Sequence, residues 1–278
     1  MTLPGCVRRQ ERASRPGGIL PRNQNSGKSP LVRVAAHQPY FLPWLGYLNK
    51  LVHVQIFVLL DDVQFRKRHY YERTRITDMQ GNIRWLGLPV GENFARPCNE
   101  VVLKIDCAER IIRTLMHSYA RARHFEESFG ALSEILRDIV RPQRRVSDIN
   151  IDLVVRILEL LDIRVPEIVR SSELSAPADA TGRLIHICRE LGADQLLLGS
   201  GKSEEVHDMG LIHSAGISVV RQNFLEHHPV YYQTRRRRAG FQRGLSCVDA
   251  ILNTGRPATR EMVNSVPVEP FGLDERKA

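Results

Sequence analysis

No apolar run in this 278-residue chain approaches the ~18 residues that a membrane-crossing helix needs; the longest are strand-length and end in charge. Cysteine is scarce and unpatterned. Cys6, Cys98, Cys107, Cys188 and Cys247 are scattered, odd in number and never at metal-ligand spacing, which speaks against a disulfide framework. No HExxH occurs, and His227 and His228 lack carboxylate or cysteine partners at zinc spacing. No GxSxG elbow occurs, and no cysteine sits in a nucleophile's setting. The arginines near the N-terminus are not followed by the apolar stretch of a secretory signal. These absences point to a cytoplasmic, reduced protein with no membrane partner and no resident metal.

Acidic residues are outnumbered, 31 against 40 lysines and arginines, so the net charge is +9. Such an excess suits nucleic acid, but its distribution argues against that partner. Residues 1–30 carry six Lys/Arg and one Glu, hence +5, and the run Arg235–Arg238 supplies four more positive charges. An anionic small substrate or an acidic carrier protein accounts for the same charge.

Apolar residues make up 42% of the chain, enough for a substantial core. Residues 1–30 are rich in proline and glycine, have little to bury, and read as a disordered basic tail. "LVRVAAHQ" opens as a strand, "WLGYLNKLVHV" continues at helical spacing, and "QIFVLLDDVQF" is a near-continuous apolar run of the kind buried on both faces of a parallel sheet. "IRWLGLPV" and "EVVLKID" read as further strands. Two long stretches between residues 107 and 164 repeat apolar positions every three or four residues and predict a helical subdomain.

Alternation then resumes. "EIVRSSEL", "DQLLLGSG" and "ISVVRQNF" read as strands, "TGRLIHICRELGA" as a helix ending at Gly192, and "SEEVHDMGLIHSAG" as one helix ending at Gly216. The last ~50 residues read as loop-rich, with a short helix near "LSCVDAILN". Strand–helix alternation predicts an α/β fold, a Rossmann-like, doubly wound, mostly parallel sheet with a helical segment inserted. The domain spans residues 31–265, and 266–278 are expected to be a flexible C-terminus.

Four stretches carry chemistry. In "AHQPYFLPWLGYLNK", His37 ends a strand, where open parallel sheets bind ligands. Pro39 and Pro43 stiffen the loop, Gly46 permits close approach to its backbone, and Lys50 lies one turn further on. Either this rigid loop presents His37 to a ligand, or it packs Tyr40, Phe41 and Trp44 into a core. In "LLDDVQFRKRHYYERTRI", Asp61 and Asp62 end the next strand and are expected on the same edge as His37, one of them orienting it. Gln64, Lys67, Arg68, Arg73 and Arg75 offer donors to an anion. The competing reading makes Asp62 a turn cap and the cations surface charge.

"LLLGSGKSEE" resembles a phosphate loop but is not one, since the glycine required five before Gly201 is Leu196. Gly199, Ser200 and Gly201 still open a helix N-terminus that favours anions; a tight structural turn explains them as well. In "HHPVYYQ" and "GLSCVDAILN", the polar groups Tyr231, Gln233, Ser246 and Asp249 read as buried hydrogen-bonding partners.

"HQPYFLPWLGYLNKL" running into "IFVLLDDVQFRKRHYYERTRI" and "GNIRWLGLPV", with the later "SSEL", "RLIHICRELGA", "LLLGSG", "HPVYYQ" and "GLSCVDAILNTG", resembles the WbqC-like family over roughly residues 32–256. The family's pattern carries over to His37, Gln38, Pro39, Pro43, Gly46, Tyr47 and Lys50, then to Asp61, Val63, Gln64, Phe65, Arg73 and Arg75. The chain departs from it at Glu72 and Thr74, where the family usually has asparagines, and at "KSEEVHDM", where it usually has a tyrosine-containing segment.

The resemblance implies a cytoplasmic protein of polysaccharide (O-antigen) or natural-product biosynthesis. It implies N-acyl or aminoacyl transfer to a small-molecule amine acceptor, from an activated donor such as a phosphopantetheine-linked carrier-protein thioester. His37, Asp61 and Asp62 would be catalytic. Gln38, Tyr40, Gly46, Tyr47, Lys50, Gln64, Arg73, Gly199, Ser200, Gly201 and Tyr231 would bind substrate. Two alternatives stand beside it: an ATP- and magnesium-using ligase or nucleotidyl transferase, by fold analogy, and a non-catalytic binding or scaffolding protein.

Overall fold

A computed structural model describes residues 31–91, 96–177, 179–200, 205–234 and 236–271. The expected basic tail, Gly201, Arg235 and most of the expected flexible C-terminus lie outside them.

The β-branched and apolar runs form the strands of a six-stranded sheet, as the alternation predicts. β1 (Arg33–His37), β2 (Ile56–Leu59), β5 (Glu167–Arg170), β6 (Gln195–Gly199) and β7 (Ser218–Gln222) are mutually parallel, in the order β5-β2-β1-β6-β7. β8 (Val268–Pro270) adds an antiparallel edge to β7. That strand corrects part of the expectation for residues 266–278: the β7 edge supplies backbone partners to a segment whose own sequence carries little strand signal.

β1 connects through α1 (Leu45–Val52) to β2 and then β5 on one side, while β6, β7 and β8 build outward on the other. The strand order therefore reverses between β1 and β6. In doubly wound sheets such a reversal opens a crevice outside the carboxyl ends of the strands.

Two layers cover the sheet. Ala35, Phe57, Leu59 and Leu197 face the larger core, with α1, α2 (Ala108–Tyr119), α3 (Phe125–Ile139), α4 (Val146–Leu160), α8 (Cys247–Thr254) and α9 (Arg256–Asn264). Leu196, Leu198 and Val219 face α5 (Ala180–Glu190) and the short α6 (Met209–Ser214). The helical stretch 107–164 thus shares one core with the sheet, and the described residues from Leu31 onward form one compact unit.

Several expected elements differ. "IRWLGLPV" becomes β4 (Ile83–Gly87), paired antiparallel with β3 (Arg73–Thr77) in a separate hairpin. "EVVLKID" forms no strand: a 3-10 turn, Cys98–Glu100, ends at its first residue, and Val102 makes an isolated bridge to Arg145. The helix expected over 203–216 is broken, because Asp208 starts a new one by accepting a hydrogen bond from the Leu211 amide at 3.0 Å. A four-residue helix, α7 (Arg236–Ala239), occupies part of the basic loop. The loop-rich C-terminal region holds α9 as well as the expected α8. Among the described residues no helix is long and apolar enough to cross a membrane.

Candidate functional site

The loop between β1 and α1 is clamped by the rest of the fold. Tyr47 donates its hydroxyl to the Gln38 carbonyl at 3.2 Å, and Asn150 donates its amide to the carbonyls of Pro39 and Tyr71 at 2.9 and 2.8 Å. The Phe41 amide donates to Tyr70, and the Cys247 amide to Pro43. Leu42 is held at φ 41°, in the left-handed region that apolar side chains avoid, although a following proline favours extended backbone. Its carbonyl accepts from Thr74 and Ser246 hydroxyls at 2.9 and 2.8 Å, which fix that conformation. The loop is preorganised by partners from β3, α4 and α8 as well as by its prolines.

His37 emerges from this frame at the end of β1. Its Nδ1 lies 3.0 Å from the Gln38 carbonyl. A carbonyl only accepts, so Nδ1 carries the proton and Nε2 keeps its lone pair. Tyr40 and Tyr47 sit edge-on to the ring, with centroids 4.5 and 5.1 Å away. Burial, then the positive charge of Lys50, push the His37 pKa down to about 3. The imidazole is neutral at physiological pH.

A cavity of about 330 Å³ opens at the β1–β6 reversal, lined by His37, Lys50, Tyr40, Tyr70, Arg75 and Arg243, among others. Gly199 and Ser200 from the end of β6 and Gln222 from the end of β7 complete that rim, with Trp44 and Phe224 as apolar wall. Lys50 is 7% exposed, and burial lowers its pKa to about 8.

Of the residues expected to form the site, His37, Tyr40, Lys50, Gly199 and Ser200 line this cavity. Gln38 and Tyr47 stand behind His37, setting its tautomer and its edge packing. The Ser200 amide donates to the Gln222 carbonyl at 2.9 Å, so it is not free to hold an oxyanion.

The two carboxylates correct the expected geometry. Asp61 is buried and accepts from the Ser172 amide and hydroxyl, both at 3.0 Å, with Arg170 at 3.5 Å. Asp62 takes both hydrogen bonds from Arg183 Nη1 at 2.7 and 2.8 Å, and one from the Ser171 hydroxyl. Partial burial works against ionisation of Asp62, but the Ser171 and Arg183 hydrogen bonds outweigh it and hold its pKa below the ordinary carboxylate range. Both side chains turn to β5 and α5, and neither lines the cavity. The Gln38 carbonyl orients His37 in their place.

Gln64 is exposed beside Pro97, and Arg73 stacks 3.9 Å over Trp85 while donating to the Arg68 carbonyl. Tyr231 donates to buried Asp249 at 2.8 Å. None of these three lines the cavity. Residue-by-residue reading missed Tyr70, Gln222, Phe224 and Arg243. For Gln222 the signal was present, because it ends β7 as His37 ends β1.

Gly46 serves packing, contrary to the expected ligand approach. A Cβ there would lie 2.3–2.6 Å from three carbons of the Trp44 indole. Gly46→Ala is expected to displace that ring from the cavity wall and to destabilise the fold by about 1–3 kcal/mol. Urea unfolding and Trp44 emission in a Trp85→Phe background report both effects, and unchanged emission would contradict the packing role.

The family model described as "WbqC-like protein family" matches residues 38–261. An uncharacterized protein of Mycobacterium tuberculosis is 26% identical over 229 residues, covering 81% of this chain and 95% of its own length. No solved structure matches.

Proposed function

The chain belongs to the WbqC-like protein family, and on that premise we propose that it transfers an acyl or aminoacyl group from an activated donor to a small-molecule amine. The observation that carries this reading is a neutral imidazole with a free Nε2 in a cavity that also holds Lys50, Arg75 and Arg243. Amide formation requires a base to take the amine proton and positive groups to hold the donor and the developing oxyanion. His37 Nε2 accepts the proton; burial and the Lys50 charge weaken it as a base, and the negative charge of a bound donor offsets the second of these. Attack forms the new C–N bond, the amine proton passes to Nε2, and the thiolate leaves and recovers that proton.

A carrier-protein thioester fits this chemistry, since an acidic carrier surface suits the chain's net positive charge. The placement of the cavity at the strand-order reversal favours a second reading, in which the anion is a nucleotide and the enzyme is an ATP-using ligase or nucleotidyl transferase. One assay separates the two. The protein is incubated with acyl thioesters and amino-sugar acceptors, with and without ATP and magnesium, and amide product is followed by mass spectrometry. Product from thioester alone is expected; product that appears only with ATP selects the second reading, and no product under either condition refutes both.

A further inference from the structure

Among the described residues the cavity wall holds Lys50, Arg75 and Arg243, and no carboxylate. Lys50 is more than nine-tenths buried on α1, and no hydrogen-bond or ion-pair partner for its ammonium occurs among the described residues. Arg75, half-buried on β3, likewise has no side-chain partner among the described residues. Arg243 donates only to the Leu225 carbonyl, at 3.3 Å. The nearby carboxylates are committed elsewhere: Glu72 accepts from the Arg68 amide, Asp61 is held by Ser172 and Asp62 by Arg183.

Taking an ammonium out of water without a counter-charge is strongly unfavourable. A fold that keeps one beside two guanidinium groups, with Tyr40, Tyr70, Trp44 and Phe224 around them, is built around an anion supplied from outside.

We propose that this cavity is a phosphoryl-binding site, with Lys50 as its buried point charge and Arg75 and Arg243 closing on the same group. Three cations match a dianionic or more highly charged phosphoryl group better than a single carboxylate, and guanidinium forks match its oxygens in pairs. The proposal rests on the transfer reading only for the identity of the pocket. The phosphoryl group belongs to the donor: the pyrophosphate of a coenzyme A thioester in the first reading, the phosphates of a nucleotide in the second.

The tests measure binding without turnover. Pyrophosphate, malonate, coenzyme A and ATP with magnesium are each titrated against the full-length protein by calorimetry and thermal unfolding. Pyrophosphate at a hundredfold excess over its Kd is expected to raise Tm by roughly 5–10 °C, and malonate by much less. Coenzyme A or ATP, whichever is the stronger stabiliser, identifies the source of the phosphoryl group.

In Lys50→Met, pyrophosphate affinity is expected to fall roughly 30-fold or more, while Tm without ligand rises because an uncompensated buried charge has become an apolar chain of similar length. A merely structural Lys50 would give the opposite Tm change. Arg75→Gln, at a half-buried position, is the second variant and should weaken pyrophosphate binding without the rise in Tm. Equal stabilisation by malonate, no response to pyrophosphate, or undiminished binding in both variants would overturn the site. Missing amide product with pyrophosphate binding intact would remove the transfer reading alone.

Discussion

His37→Ala is expected to lower kcat for a competent donor–acceptor pair by roughly 10²- to 10⁴-fold, with circular dichroism and Tm close to those of the parent. The ring makes one hydrogen bond, to the adjacent Gln38 carbonyl, and otherwise only edge contacts with Tyr40 and Tyr47. Its removal therefore deletes a proton acceptor from the cavity without opening the core. The pH dependence carries a more specific signature. With His37 depressed to about 3, the acidic limb of kcat/KM should lie far below the ordinary histidine value near 6.5. A bound anion offsets the Lys50 charge, the second cause of the depression, so the acidic limb of kcat should lie above that of kcat/KM. Turnover untouched by the substitution would remove His37 from the chemistry.

Asp249→Ala should be the most destabilising single change in the chain, by about 3–5 kcal/mol. Asp249 is fully buried on α8. Its carboxylate accepts hydroxyl donors from Tyr231 at 2.8 Å, Tyr119 at 3.0 Å and Thr77 at 3.3 Å, and the Gln233 amide at 3.3 Å. These donors come from β3, α2 and the segment before α7, so one carboxylate on α8 ties three other parts of the chain to its own helix. Deleting it leaves buried donors stranded, against a total stability of 5–15 kcal/mol for a typical domain. Asp249→Asn keeps one acceptor oxygen and should lose less.

The sign with pH is worked from burial, which raises the Asp249 pKa against the opposing hydrogen bonds from Tyr231, Tyr119, Thr77 and Gln233. The folded state then binds the proton more tightly than the unfolded one. This group's contribution to stability is greatest below the ordinary carboxylate pKa and declines as pH rises through the raised folded value. Urea unfolding between pH 4 and 7 should show that slope in the parent and its loss in Asp249→Ala. A substitution effect below about 1 kcal/mol would contradict the role as a hub.

Local pattern was enough wherever an element is defined by its own residues. The apolar run ending at Leu59 could only be a doubly covered strand. Pro39 and Pro43 announced a stiff loop, and the amphipathic spacing of residues 108–160 announced helices. It failed where partners decide. Residues 73–77 are short and mixed in polarity, and they become a strand by pairing with 83–87, which the sequence does read as one. Val268–Pro270 becomes a strand because β7 offers an open edge. Asp61 and Asp62 follow β2 as expected, but both turn toward the Ser171 hydroxyl, and Ser172 and Arg183 supply the further attractions that hold them away from His37.

The sequence by itself determined the order of strands and helices, the rigidity around His37 and the membership of the WbqC-like family, because these depend on neighbours within a few positions or on a long ordered motif. Only the tertiary structure decided which residues share the cavity. Lys50, Arg75, Gln222 and Arg243 are separated by up to nearly two hundred positions, and the parallel crossovers of the sheet bring them to one rim. The lack of a counter-charge at Lys50 among the described residues is likewise invisible in one dimension, since it depends on which partners hold Glu72, Asp61 and Asp62.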